Sequence, residues 1–214
     1  MFIGHWAPAL AVAAKRPAPS VGVLFVAAQL VDWAFFGLLI TGVERMRFSP
    51  GISAMNPMDL YHLPYTHSLL GSGVFAAAFA ALVWAFSKDR TAALLAGVVV
   101  LSHWFLDLLV HVPDLTLAGS PPKLGFGLWN HPMIEMPLEL GLTFGALWLY
   151  VRARKPAPLR VWTLAGVLLL LQAINWFGPV EAEVTLGTSL LAFFAFGLAT
   201  LAAWWMGKSA ANPA

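Results

Sequence analysis

The sequence predicts an all-α integral membrane protein with six transmembrane helices and a short half-helix or re-entrant segment ahead of them. Three observations predict it. Of 214 residues, 60% are hydrophobic and only 10% are charged, where a soluble domain carries about 25% charged residues. Mean hydropathy is +0.78. Six apolar runs, roughly 18–41, 66–87, 91–112, 132–151, 159–178 and 184–206, each reach the roughly 20 residues a helix needs to cross a bilayer. Such spans are helical because hydrocarbon offers backbone groups no water to pair with. The chain, 1–214, reads as a single membrane-embedded domain.

The first segment, Met1 to Ala14, is too short to span. Its charges, Lys15 and Arg16, follow the apolar stretch, which is not the order of a signal peptide. The breaks between spans carry turn or charge signals: Lys15-Arg16-Pro17, a long loop 42–65, Ser87-Lys88-Asp89-Arg90, a Gly- and Pro-rich loop 112–131, a basic stretch from Arg152 to Pro156, and Gly178-Pro179. Alternating the spans puts nine basic residues on one side (Lys15, Arg16, Lys88, Arg90, Arg152, Arg154, Lys155, Arg160, Lys208) and three on the other (Arg45, Arg47, Lys123). The basic side is then cytoplasmic by the positive-inside rule, and loops 42–65, 112–131 and 179–183 face outward. Trp84, Trp129, Trp148, Trp176, Trp204 and Trp205 fall near span ends or in a loop and read as interface anchors. The last two spans hold no His, Asp or Glu and read as scaffold.

Zero cysteines exclude disulfides, thiolate metal sites and cysteine nucleophiles, so any metal must be held by His, Asp and Glu. No stretch reads as nucleic-acid binding. The densest polar stretch inside a span is Ser102 to Asp114. His103, Asp107 and His111 recur every fourth residue and share one helix face, stepping about 6 Å per interval. Imidazole and carboxylate in this pattern are metal-ligand chemistry. The ends of the stripe stand about 12 Å apart, too far to share one ion, so Asp107 would bridge and more than one metal would be present. A proton relay or a polar patch between helices is the other reading.

His131-Pro132-Met133-Ile134-Glu135 repeats the spacing at the start of the fourth span, with Pro132 suited to a first helical turn. Glu139 continues that face, either holding a ligand imidazole in one tautomer or as a packing contact. Asp32 has no counter-charge nearby in sequence and costs about 2.5–3.5 kcal/mol in a membrane centre. Gln29 lies on its face, and Asp32 is a candidate ligand or base. His67 enters the second span after Thr66, with Thr66 and Ser68 as capping candidates. His62 is a weaker candidate, a ligand or a headgroup contact. His5, counted from Lys15, would lie near the midplane. All six histidines can converge on one zone between the midplane and the outer face.

At these residues the chain resembles a family of bacterial inner-membrane proteins described as metal-dependent hydrolases, one branch of it LexA-regulated. The resemblance rests on Gly4-His5, on an Asp in the first span, on His-x-x-x-Thr-His-Ser from His62 to Ser68 and on Ser-His-x-x-x-Asp from Ser102 to Asp107. The order of ligand types is also similar to that of soluble zinc-dependent phospholipase C: here His5, Asp32, His67, His103, Asp107, His111, His131 and Glu135. The resemblance implies two or three zinc ions held by those residues, with Asp107 bridging. It also implies phosphodiester cleavage of a membrane lipid at the outer half of a bacterial inner membrane, Asp32 orienting or deprotonating water. Amide hydrolysis of a lipid, in the style of intramembrane ceramidases, is a variant. The alternative from another class is a transporter for divalent metal or protons using the same residues as a pathway.

Overall fold

The computed structural model describes residues 1–179 and 181–208. Seven α-helices make up the body: α1 (Trp6–Ala13), α2 (Val21–Ile40), α3 (Leu69–Ser87), α4 (Arg90–Val110), α5 (Pro132–Arg154), α6 (Pro158–Phe177) and α7 (Leu186–Gly207). Helices α2 to α7 are each long and apolar enough to cross a membrane. Their bounds fall within about three residues of the hydropathy runs. The polar residues at the breaks explain where they start. Ser20, Ser68 and Asp89 each accept a backbone N–H from the first turn of α2, α3 and α4. Pro132 opens α5, and Thr185 forms a capping box at α7.

The short first segment is helical, a single 3-10 turn (Ile3–His5) running into α1. It lies inside the bundle, against α2, α4 and α5. Ile3, Trp6, Ala9 and Leu10 are wholly buried, within one core that also takes in Leu24, Phe25, Val99, Val100, Leu164 and Leu168. Its polar ends are tied from α5. Arg154 Nε donates to Ala13 O at 2.8 Å, its guanidinium also reaches Lys15 O, and at the other end Glu139 accepts from Phe2 N and Gly4 N. A helix too short to span thus has its leftover backbone groups met by long side chains of a neighbour.

The loop 42–65 contains structure that hydropathy does not reveal. Strands β1 (Arg45–Phe48) and β2 (Met58–His62) pair antiparallel. Met46, Leu60 and Leu63 pack down on Phe35 near the end of α2. The loop 112–131 is stitched to the start of α3, with Leu69 N donating to Thr116 O and Thr116 N to His67 O. It then crosses the end of α4, where Gly127 N donates to His111 O at 2.7 Å. Gly125 passes so close that a Cβ there would stand 2.4 Å from Val112 O and 2.5 Å from His111 O, so only glycine fits. Hairpin and loop together cover one end of the bundle.

Candidate metal centre

Under that cover, four segments deliver six polar side chains to one point. His5 comes from the 3-10 turn, Asp32 from α2, and His67 from the turn before α3; His103, Asp107 and His111 come from α4 and its C-cap. All are buried except Asp32, which is partly exposed. The stripe on α4 keeps its helical spacing, and the remaining three residues face it from across the bundle.

Asp107 divides the group by its two oxygens. Oδ1 lies 3.0 Å from His5 Nε2, 3.3 Å from His111 Nε2 and 3.1 Å from the α-amino nitrogen of Met1. Oδ2 lies 3.1 Å from His103 Nε2 and 3.6 Å from His67 Nε2. Asp32 Oδ1 closes the second set, 3.4 Å from His103 Nε2 and 3.5 Å from His67 Nε2. The His5 and His103 rings stack at 3.7 Å.

Met1 N donates to Asp107 Oδ1, but most of the other atoms are close without being hydrogen-bonded in the usual way. His5 Nε2, His103 Nε2 and Asp107 Oδ2 are buried and have no hydrogen-bond partner, a state that costs roughly 1–3 kcal/mol per group. Their spacing fits a shared cation. Zinc–ligand bonds of about 2.0–2.1 Å at tetrahedral angles hold ligand atoms about 3.4 Å apart. The four separations among Asp32, His67, His103 and Asp107 Oδ2 run from 3.1 to 3.6 Å. Two overlapping groups, His5–His103–Asp107 and Asp32–His67–His103, could each hold a metal ion. The donors are nitrogen and oxygen alone, which suits zinc among other divalent ions.

Three of the four imidazoles are anchored through Nδ1, leaving Nε2 turned to the centre. His103 Nδ1 contacts Ala28 O at 2.8 Å. His111 Nδ1 contacts Asp114 Oδ1 at 2.9 Å. His67 Nδ1 contacts Thr66 Oγ1 at 2.9 Å, and that hydroxyl donates to Glu44 Oε2 at 2.5 Å. Glu44 is wholly buried and also accepts Tyr65 N and Thr66 N, each at 2.9 Å. A partner on the far nitrogen is the usual device for aiming a metal-binding imidazole. The His67 turn is tight: a Cβ at Gly71 would overlap Tyr65 O, so that position admits only glycine.

Several sequence expectations change here. Ser68 caps α3 as expected, but Thr66 serves His67 and Glu44. Gln29 does donate to Asp32, at 3.3 Å. His131 is exposed and does not join the group. It is the N-cap of α5, with φ −127° and ψ 67°, so the four-residue spacing to Glu135 is not a helical one. Glu135 is wholly buried and faces the same cavity as Asp107 and His111, with neither oxygen hydrogen-bonded. Like His111, it stands outside both three-residue groups, but unlike His111 it makes no close approach to Asp107. His62 is exposed on β2, opposite Arg45. Four of six histidines therefore meet, not six.

Glu139 positions the backbone that carries His5: Oε1 accepts Phe2 N and Gly4 N at 2.5 and 2.9 Å, and Oε2 accepts Gln172 Nε2 at 2.9 Å. Gln172, on α6, is itself buried and accepts Ile3 N, so the sixth element serves the site and is not plain scaffold. Trp129 is not an interface anchor; it is buried and lies tilted against His111, ring centroids 4.2 Å apart. Glu44 and Asp114 were given no role by sequence reasoning. Asp114 had a local signal, standing three residues after His111, whereas Glu44 had none.

The group opens onto a cavity of about 300 Å³ between the hairpin, α2, α5, α6 and α7. No family model, curated protein or solved structure matches the chain.

Proposed function

We propose that this chain is a membrane-embedded, metal-dependent hydrolase that holds two zinc ions and cleaves a phosphoester of a lipid or lipid-linked substrate. The observation that carries the reading is the way the two oxygens of Asp107 divide the imidazoles, His5 and His111 with Oδ1, His67 and His103 with Oδ2. A carboxylate so placed is built to bridge two cations. Asp32 completes the second set, and six side chains are enough donors for two ions if water completes each shell. Zinc bound there supplies an acidified water and a counter-charge for a phosphoryl oxygen.

The chain's own residues do the rest. Asp32 is the one partly exposed carboxylate of the group and lines the cavity. Gln29 fixes its Oδ2, so Asp32 is placed to take a proton from water. Trp129, Phe35 and Leu60 wall the cavity and keep bulk water from it. Among the described residues, no lysine or arginine lines it and the Met1 amino group is held by Asp107, so bound metals would be the main cationic partners for a phosphoryl group. The distribution of basic residues supports an orientation with the hairpin end outside the cell and the centre in the outer half of the membrane. The likeness in ligand order to zinc-dependent phospholipase C supports phosphodiester cleavage over other hydrolyses.

What supports an enzyme over a transport pathway is the packing beneath the centre. Leu10, Leu24, Phe25, Ala28, Ala96, Val99 and Val100 are fully buried and apolar, and offer no relay toward the opposite face. The test is headgroup release from phospholipid vesicles by the zinc-loaded protein, before and after chelation. Release that stops on chelation and returns with zinc supports the reading. A metal-loaded protein that releases nothing from phospholipids refutes it.

A further inference from the structure

The exposed part of the cavity lining is gathered in one place. Of the residues that line it, the exposed ones are Ile174, Asn175, Pro179, Glu181 and Leu191. All belong to the second half of α6, the first turns of α7 or the turn between them. The hairpin residues Phe48, Met58 and Leu60 and Trp129 line the cavity but are buried or half-buried, so they roof it. The mouth therefore opens sideways, between two helices each long and apolar enough to span a membrane.

The chemistry of the mouth is graded. Ile174 and Leu191 are apolar and lie on the helices, while Asn175, Thr188 and Glu181 lie at or near the turn. Inside, Phe36, Leu171, Ala192, Ala195 and Phe196 lead to Asp32 and Asp107. On α6, residues 171, 174 and 175 share one face, and on α7 so do 188, 191, 192 and 195. The slot is a helix–helix seam kept open by small side chains at Ala192 and Ala195.

We infer that a membrane lipid reaches the metal-ligand group laterally, with one acyl chain laid between α6 and α7. This deepens the proposed function and rests on its reading of the group as one that acts on a lipid. A volume of about 300 Å³ is at the small end for a ligand pocket. It holds a headgroup and the upper part of a chain, and the rest of the chain stays in the bilayer. Ala192 and Ala195 are then specificity-determining positions, because their size sets the width of the seam.

The test is photolabelling. The protein is placed in nanodiscs of phosphatidylethanolamine and phosphatidylglycerol that contain a phospholipid with a diazirine on its acyl chain. Labelled residues are mapped by mass spectrometry. The expected result is label on Phe196, which is buried, lost in Ala192→Trp. Should Ala192→Trp fail to fold, Ile174→Trp narrows the mouth from an exposed position. Label confined to outward-facing residues such as Phe194, or interior label that survives both substitutions, overturns the inference. Labelling needs no turnover: interior label on a protein that hydrolyses nothing would sink the proposed function and leave the lateral route standing.

Discussion

Glu44→Gln tests whether the imidazoles are held ready for metal. As a carboxylate, Glu44 can only accept hydrogen bonds, so Thr66 must give it the hydroxyl proton. The lone pair left on Thr66 Oγ1 then takes the Nδ1 proton of His67 at 2.9 Å. His67 Nε2 is left bare, aimed between Asp32 and Asp107 Oδ2. Glutamine is nearly isosteric, and its oxygen can keep the two backbone donors from Tyr65 and Thr66. Its NH2 group must then face Thr66 and donate to it. The hydroxyl turns and donates to His67 Nδ1, which moves the imidazole proton to Nε2 and blocks the metal-facing lone pair. Loss of a partner of this kind costs about 10–100-fold in metal affinity, or about 1.4–2.7 kcal/mol. The assay is zinc competition against a graded chelator, paired with 15N NMR of the His67 ring to read the tautomer. Wild-type affinity with an unchanged tautomer in Glu44→Gln would refute the reasoning.

Asp107→Asn should reduce bound metal more than any other single change, since it touches both halves of the group; metal analysis after dialysis reads this. His131→Ala and His62→Ala should leave metal content unchanged and stability within about 0.5 kcal/mol, checked by metal analysis and thermal unfolding, because both side chains are exposed and outside the group. Zinc binding should weaken as pH falls, because four histidines must be free of the proton on their metal-facing nitrogen to bind; affinity titrations from pH 8 to 5.5 check the sign.

The spans were legible because a bilayer imposes length and hydropathy on each one separately. The α4 stripe was legible because His103, Asp107 and His111 sit on one regular helix, where spacing alone fixes geometry. Asp32, His5 and His67 were legible by type, as polar residues inside apolar runs, though nothing local says they face α4. Of the candidates at helix boundaries, His67 and His111 join the group and His131 does not. His131 carries the same spacing as the α4 pairs, yet its non-helical backbone sends the side chain elsewhere. Glu44, in a loop, supports His67 from 23 positions away in sequence, and no periodicity links them. Trp129 looked like an interface residue because its loop is outside the spans. Its burial depends on how Gly125 lets the strand of chain close over His111. The hairpin was missed because its strands are short and half-polar, and the cavity's sideways opening is a property of helix packing that no single segment encodes.

The most direct test of the account is zinc per chain in the purified protein, measured by mass spectrometry after removal of loosely bound metal. Two ions per chain, falling in Asp107→Asn, is the predicted result. A well-folded protein that takes up no divalent metal, at any concentration that saturates ordinary His–Asp sites, would contradict it.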